Sequence, residues 1–282
     1  MTNNTRIWQF ISDGTRFKLV ETGNSRTMDE GSQHLSGGVY TTLRTFEHER
    51  ALRLEDHFDR LEHSAELQGK HVVIPRYSLR SGLCEVLDYF PESDVRLRIH
   101  CAFVENGEIR VYILAEKFTP YPESLYENGV AVKSIDYQRE NPIAKATNFI
   151  DQTSELRKTK PASIHEYILV AKDGTLLEGM TSNIFIVKEG KIWTAEKGVL
   201  PGITRQIVLE VIAAAGFETI LSGYPRNEVN FAEEAFITSA SRGVLPVTKF
   251  DNQNVGEGIP GMITRQIRSD YLLWLKKELR PI

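Results

Sequence analysis

The 282-residue chain has only two cysteines, Cys84 and Cys101, and no C-x-x-C pair. This argues against a disulfide framework and fits a reducing compartment. Long apolar runs are missing as well; nothing approaches the roughly 18 residues that a membrane span requires. The stretch from Met1 to Arg16 is polar and of mixed charge, without the apolar centre of a secretory signal. A soluble, cytoplasmic protein is expected, with no membrane partner. Basic charge is not in excess either. Against 34 Lys and Arg stand 38 Asp and Glu, a net charge of -4, so no nucleic-acid partner is expected.

Several catalytic signatures are also lacking. There is no H-E-x-x-H, no Walker A and no G-x-S-x-G. His57 and His63 are six apart and do not share a helix face as i and i+4 would, so no metal site is expected. Gly256-Glu-Gly-Ile-Pro-Gly261 matches G-x-G-x-x-G. Too little chain follows it for the strand-helix-strand unit that a dinucleotide needs, and it reads as a loop before the last helix.

What is present is the make-up of an ordinary globular protein, 41% hydrophobic and 26% charged, enough for one large core or two smaller ones. From Gly38 to Phe46 a period of two puts Val39, Thr41, Leu43 and Thr45 on one face. Tyr40, Thr42, Arg44 and Phe46 take the other. Leu52, Leu54, Phe58, Leu61 and Ala65 then recur at helical spacing, with Arg60 beside the stripe. Asp94–Phe103 and Glu108–Leu114 read as a hairpin.

Between Phe118 and Gly129 two prolines interrupt any period. This gives a small N-terminal α/β domain (1–120), a linker (121–129) and a larger C-terminal domain (130–282). In the latter, short apolar runs alternate with turns, a helix runs from Thr204 to Ala215, and a last helix covers about Met262 to Leu279. The mix predicts an α+β fold rather than a regular βαβ series.

Lys145 lies in Arg139-Glu-Asn-Pro-Ile-Ala-Lys-Ala-Thr-Asn-Phe149. A lone lysine is ordinarily a solvated surface residue. Here small and apolar neighbours favour partial desolvation, which makes an amine a nucleophile. Downstream come Glu178-Gly-Met-Thr-Ser-Asn-Ile-Phe185, Leu200-Pro-Gly-Ile-Thr-Arg205 and Thr238-Ser-Ala-Ser241; upstream stands His57-Phe-Asp-Arg-Leu61. In order and spacing these pieces, spanning about 38–247, resemble the class IV (fold type IV) pyridoxal-phosphate-dependent aminotransferase family. That family includes D-amino-acid and branched-chain aminotransferases and aminodeoxychorismate lyase.

The resemblance implies two domains with pyridoxal 5'-phosphate between them, held as a Schiff base on Lys145. Lys145 would also move the proton between the substrate Cα and the cofactor. Glu178 would face the pyridine nitrogen and keep it protonated. Ile203 and Thr204, where a helix begins, would offer backbone N–H groups and a hydroxyl to the phosphate. By resemblance Arg60 adds a charged fork, and Ser239, Ala240 and Ser241 form a second phosphate loop. Ala240 stands where Thr is frequent, so Ser239 or Ser241 carries the hydroxyl contact. A homodimer is implied as well.

Two departures bear on the substrate. Branched-chain members usually have a Tyr where this chain has Ile150. The Arg-x-His carboxylate trap of the D-amino-acid enzymes has no counterpart in the short loop Val104–Glu108. Candidates for the substrate carboxylate are Arg96 first, then Arg98 and Arg44, with Tyr40 nearby. The expected reaction is amino exchange between an amino acid, with D-amino acids or a broad donor range favoured, and a 2-keto acid. Alternatives are a branched-chain L-amino-acid aminotransferase and, because Tyr40-Thr-Thr-Leu-Arg44 resembles a lyase segment, an aminodeoxychorismate lyase that releases pyruvate. A non-catalytic binding protein is disfavoured by the presence of both Lys145 and Glu178.

Overall fold

The structure, a computed structural model, describes residues 4–13, 15–137 and 142–282. The opening of the lysine motif, Arg139 to Asn141, lies outside the described residues. Two compact units result. One comprises Met1–Thr119, Ala144–Ser154 and Glu278–Ile282, the other Pro120–Ile143 and Glu155–Lys277.

The first unit is built on strands β1 (Thr5–Ser12), β2 (Phe17–Ser25), β3 (Gly38–Arg44), β4 (Val95–Phe103) and β5 (Ile109–Lys117), in the order β2-β1-β5-β4-β3. A short helix, α1 (Met28–Gln33), follows β2. Val95, Leu97, Ile99 and Cys101 alternate onto one face of β4. They pack with Val39 and Leu43 against Phe58, Leu61 and Ala65 of helix α2 (Leu54–Glu66) and Leu79 and Leu83 of α3 (Arg76–Leu87). Each Val, Leu, Ile or Phe among them contributes about 1.5–3 kcal/mol of burial. The opposite face carries the polar set. Pairing places Tyr40 beside His100, Thr42 beside Arg98 and Arg44 beside Arg96.

Helix α1 lies over part of that face. Thr27 caps it by accepting from the Glu30 N–H at 3.1 Å. Arg98 ties it down, donating to the Met28 carbonyl, the Ser32 hydroxyl and the Asp29 carboxylate.

The lysine segment belongs to this unit because its backbone extends the edge of β3. Tyr40 N–H donates to the Lys145 carbonyl and Thr147 N–H to the Gly38 carbonyl, each at 2.9 Å. The Thr147 hydroxyl is buried and accepts from Gly38 N–H at 2.9 Å. Gly38 is obligatory here, since a Cβ would stand 2.0 Å from the Cys101 carbonyl oxygen.

The second unit curls a mixed sheet until its ends meet. Its main strands are β6 (Val130–Asp136), β7 (Glu166–Val170), β8 (Thr175–Gly179), β9 (Asn183–Lys188), β10 (Lys191–Trp193), β11 (Glu234–Ser239) and β12 (Gly243–Phe250). They run β10-β9-β11-β12-β6-β7-β8, and β8 pairs back to β9 through Glu178 and Asn183. Closure of this kind removes exposed edges. Val132, Ile168, Ile184, Ile237 and Leu245 share one core. On the other face Phe185 stacks on Phe236 with ring centroids 4.8 Å apart. Helix α4 (Ile203–Ala214) packs on β11, burying Ile207, Val208, Val211 and Ile212. Helix α5 (Met262–Glu278) starts where the Glu234 carboxylate accepts from Ile263 and Thr264 N–H.

The stretch read as a linker, 121–129, is not an unstructured connection. It contains the helix Glu123–Asn128, and the Tyr126 hydroxyl donates to the Arg242 carbonyl at 2.9 Å. Six residues are too few to display a period.

Replacing Thr147 with Val keeps the shape but strands the Gly38 N–H. Denaturant unfolding is expected to show a loss of about 1–3 kcal/mol, and an unchanged midpoint would contradict the role given to this edge pairing.

Candidate active site

Lys145 is fixed from two sides in the first unit. Its carbonyl is bound by β3, and its N–H donates to Ser64 Oγ of α2 at 3.2 Å. Ala144 and Ala146 are buried on either side, whereas Ile143 is exposed. Lys145 Nζ stands 4.9 Å from the Tyr40 ring centroid, and Arg98 lies 4.5 Å from the same ring. Tyr40 thus offers its negative π cloud to two cations.

Arg60 lies one helical turn after His57. Its Nη2 donates to Thr41 Oγ1 at 2.6 Å and sits 3.4 Å from His57 Nδ1. The Arg60 Nε is buried and has no partner among the described residues. Burial pushes the guanidinium pKa down to about 10, with Tyr40 and Asp56 opposing. A buried cation with an unused donor is a place for an anion. The sequence marks neither Thr41 nor His57 as a partner of Arg60; Thr41 reads as a plain strand residue, and His57 is weighed there only as a metal ligand and set aside.

In the second unit the residues gather on the α4 face of the sheet. Cross-strand pairing sets Glu178 beside Asn183 and Asn183 beside Thr238. Glu178 is buried; its Oε2 accepts from Leu200 N–H at 2.9 Å and lies 3.4 Å from Asn183 Nδ2. Leu200 leads into Gly202, the N-cap of α4, where no side chain caps the helix. The first-turn amides around Ile203 and Thr204 therefore carry the helix's positive end. A Cβ at Gly202 would stand 2.3 Å from Asn183 Oδ1, so glycine keeps the helix start close to the strand.

The β11–β12 turn holds Ser239, Ala240 and Ser241, all half-buried. It is anchored by the following residue. Arg242 Nη1 pairs with the buried Glu166 at 3.0 Å, and Nη2 donates to Thr181 Oγ1 at 2.9 Å. Thr181 donates in turn to Glu166 at 2.5 Å. Neither Glu166 nor Arg242 was expected from the sequence. The hydroxyl of Thr238, buried just before the turn, has no partner among the described residues.

The family model for amino-transferase class IV matches residues 38–250. The chain belongs to the class IV aminotransferases. It is 30% identical over 252 residues to the D-alanine aminotransferase of Bacillus licheniformis, covering 86% of this chain and 88% of that protein. It is 25% identical to the branched-chain-amino-acid aminotransferase of Pseudomonas aeruginosa, with 84% of each covered. Among solved structures, the branched-chain aminotransferase of Thermoproteus uzoniensis with norvaline aligns at a TM-score of 0.77 and 25% identity, over 99% of both chains. A second branched-chain amino acid aminotransferase, from T.th. and complexed with N-(5'-phosphopyridoxyl)-L-glutamate, aligns at a TM-score of 0.80 and 20% identity, over 98% of both. The α+β, fold type IV architecture is shared with these aminotransferases.

For this class IV aminotransferase the arginines on the sheet divide by their partners. Arg98 is buried, stacks on Tyr40 and donates to Thr42, Met28, Ser32 and Asp29. It is a strut for α1 rather than a fork open to substrate, which corrects its expected place among the carboxylate binders. Arg96 pairs with Glu116 at 3.1 Å and keeps a buried Nε without a partner among the described residues. Arg44 packs over Phe46 and Phe118, 3.9 and 4.3 Å from their ring centroids.

The two histidines near these residues predict a pH response. Burial, with Arg60 and Lys145 nearby, holds His57 well below its usual 6.5. Burial and the Arg98 charge push His100 down to about 4, against the Ser36 carbonyl. In the unfolded chain both take a proton near 6.5. Between about 6.5 and 4 the unfolded state therefore binds more protons, and stability falls as pH falls. Denaturant titrations should lose on the order of 2 kcal/mol through His100 from pH 7 to 5, with His57 acting in the same direction. His100→Gln should flatten the slope; an unaltered slope would count against the assignment.

Proposed function

We propose that this aminotransferase uses pyridoxal phosphate to exchange the amino group of a D-amino acid, or of a broad range of donors, with a 2-keto acid. The observation that carries the reading is the pairing of a doubly anchored Lys145 with a nearby buried Arg60 whose Nε has no partner among the described residues. The chain's residues fit the group. A buried unused guanidinium donor suits a phosphate, and the start of α4, with no side chain capping it, leaves first-turn N–H groups for the same anion.

When bound, the cofactor supplies a ring that delocalises the electron pair left by the departing Cα proton. Lys145 Nζ would hold the group through its aldehyde carbon, with loss of water, and would move the proton at the substrate Cα. Glu178 accepts from the ring nitrogen, its other oxygen steadied by Leu200 and Asn183. Arg60, Ile203, Thr204, Ser239, Ala240 and Ser241 hold the phosphate. Tyr40, Arg96 and Arg44 line the substrate side, with Arg96 the first carboxylate contact. Preference for D-amino acids is supported by the likeness to the Bacillus licheniformis D-alanine enzyme and by Ile150 in place of the branched-chain tyrosine. We place the enzyme in the cytoplasm, in keeping with its two free cysteines, and as a homodimer by its resemblance to the family.

Purified protein with added cofactor should be yellow, and Lys145→Ala should lose both the colour and about 10²–10⁴-fold of its activity. Donor assays with D-alanine, D-glutamate and L-leucine should show amino transfer only with a keto acid, and fastest from a D-amino acid. Faster use of L-leucine would replace the donor assignment. Pyruvate released from aminodeoxychorismate without an acceptor would replace transamination with the lyase reaction.

A further inference from the structure

We propose that His57 and Thr41 are positioning residues that lock one side of the Arg60 guanidinium, so that its remaining donors are presented to the cofactor's phosphate. The inference rests on the reading of Arg60 as a phosphate residue.

Counting protons sets the direction of these bonds. Arg60 is donor-only, so at 2.6 Å the Thr41 oxygen accepts from Nη2. Thr41 has one proton left to give, and its oxygen lies 2.7 Å from His57 Nδ1. Arg60 Nη2 also stands 3.4 Å from that nitrogen. A lone pair on Nδ1 takes the Thr41 proton and suits the adjacent cation, whereas an N–H there would face it, so the imidazole proton is assigned to Nε2 and the ring is neutral. The chain of donors is therefore directional: Arg60 to Thr41 to His57. Both Thr41 and His57 are buried, so water does not compete for these bonds. Burial and the neighbouring Arg60 and Lys145 also favour the neutral ring.

This arrangement fixes what a flexible arginine ordinarily lacks. A guanidinium has five N–H donors in one plane, and its grip on a phosphate depends on the orientation of that plane. One Nη is anchored, the buried Nε is unpartnered, and Arg60 forms no ion pair with a carboxylate among the described residues. Arg98, Arg96 and Arg242 each spend a nitrogen on a carboxylate, whereas the Arg60 anchor is a hydroxyl. The anchor comes from neutral groups, so the full positive charge is kept for an anion.

The test compares pyridoxal phosphate with pyridoxal, which has the same aldehyde and ring but no phosphate. Both are titrated spectroscopically into apo-protein, and the melting temperature of each apo-variant is recorded. In His57→Leu and Thr41→Val, affinity for pyridoxal phosphate should fall about 10- to 100-fold, while that for pyridoxal changes less than about twofold. His57→Asn, which returns an acceptor near the Nδ1 position, and Thr41→Ser should recover most of the loss. Equal weakening of both ligands, or no weakening of either, would overturn the proposal. If His57→Leu fails to fold, the smaller Thr41→Val change decides the matter. Arg60→Gln separates the two layers. Should it leave the preference for the phosphorylated ligand intact, the phosphate reading of Arg60 is lost. Should it abolish that preference while His57→Leu and Thr41→Val do not, only the positioning role is lost.

Discussion

The backbone pairing of Lys145–Thr147 with the edge of β3 is the contact on which the rest of the first unit's chemistry depends. It brings a segment from the middle of the sequence back to a sheet formed by the first 119 residues. Once there, Lys145 stands beside Tyr40, on the strand that also carries Thr41, and above the helix that carries His57 and Arg60. A strand edge is a row of unpaired donors and acceptors, and this segment satisfies part of that row while delivering an amine. The close packing of Gly38 on Cys101 and the buried Thr147 hydroxyl make the register specific rather than approximate.

The second unit solves a different problem, the presentation of a buried carboxylate next to a helix start. Curling the sheet until β8 meets β9 puts Glu178 and Asn183 directly opposite each other. The same turn of chain brings Leu200 N–H onto Glu178 and Gly202 onto Asn183. Charge in each unit is handled by dedicated partners rather than by solvent: Arg242 with Glu166, Arg98 with Asp29, Arg96 with Glu116. Breaking any buried pair leaves a lone charge at several kcal/mol. Arg60 differs from these three in that its anchor is a neutral hydroxyl in place of a carboxylate.

Much of this was legible in the sequence where a period exposes it. The two faces of β3 follow from alternation, so Tyr40, Thr42 and Arg44 are found together as read. The α2 stripe is visible because Phe58 and Leu61 face a core while Arg60 flanks it. The chemistry-bearing residues were reached through the ordered motifs around Lys145, Glu178 and Thr204, not through periodicity. Other features leave no local mark. Nothing near residue 145 shows that its segment rejoins the first unit, because three residues of edge pairing have no pattern. The six-residue helix at 123–128 hides behind prolines for the same reason. Arg98 looked like an open fork because a strand pattern shows which face a side chain takes, not what a distant helix places over it. Thr41 and His57 became meaningful only when a strand and a helix met.

The central claim is that Lys145 is the amine that binds the cofactor. Loading the protein with pyridoxal phosphate, reducing with borohydride, digesting and sequencing the peptides by mass spectrometry tests it most directly. The predicted result is a phosphopyridoxyl group on the peptide containing Lys145 and on that residue. A label on a different lysine, or no label after reduction, would contradict it.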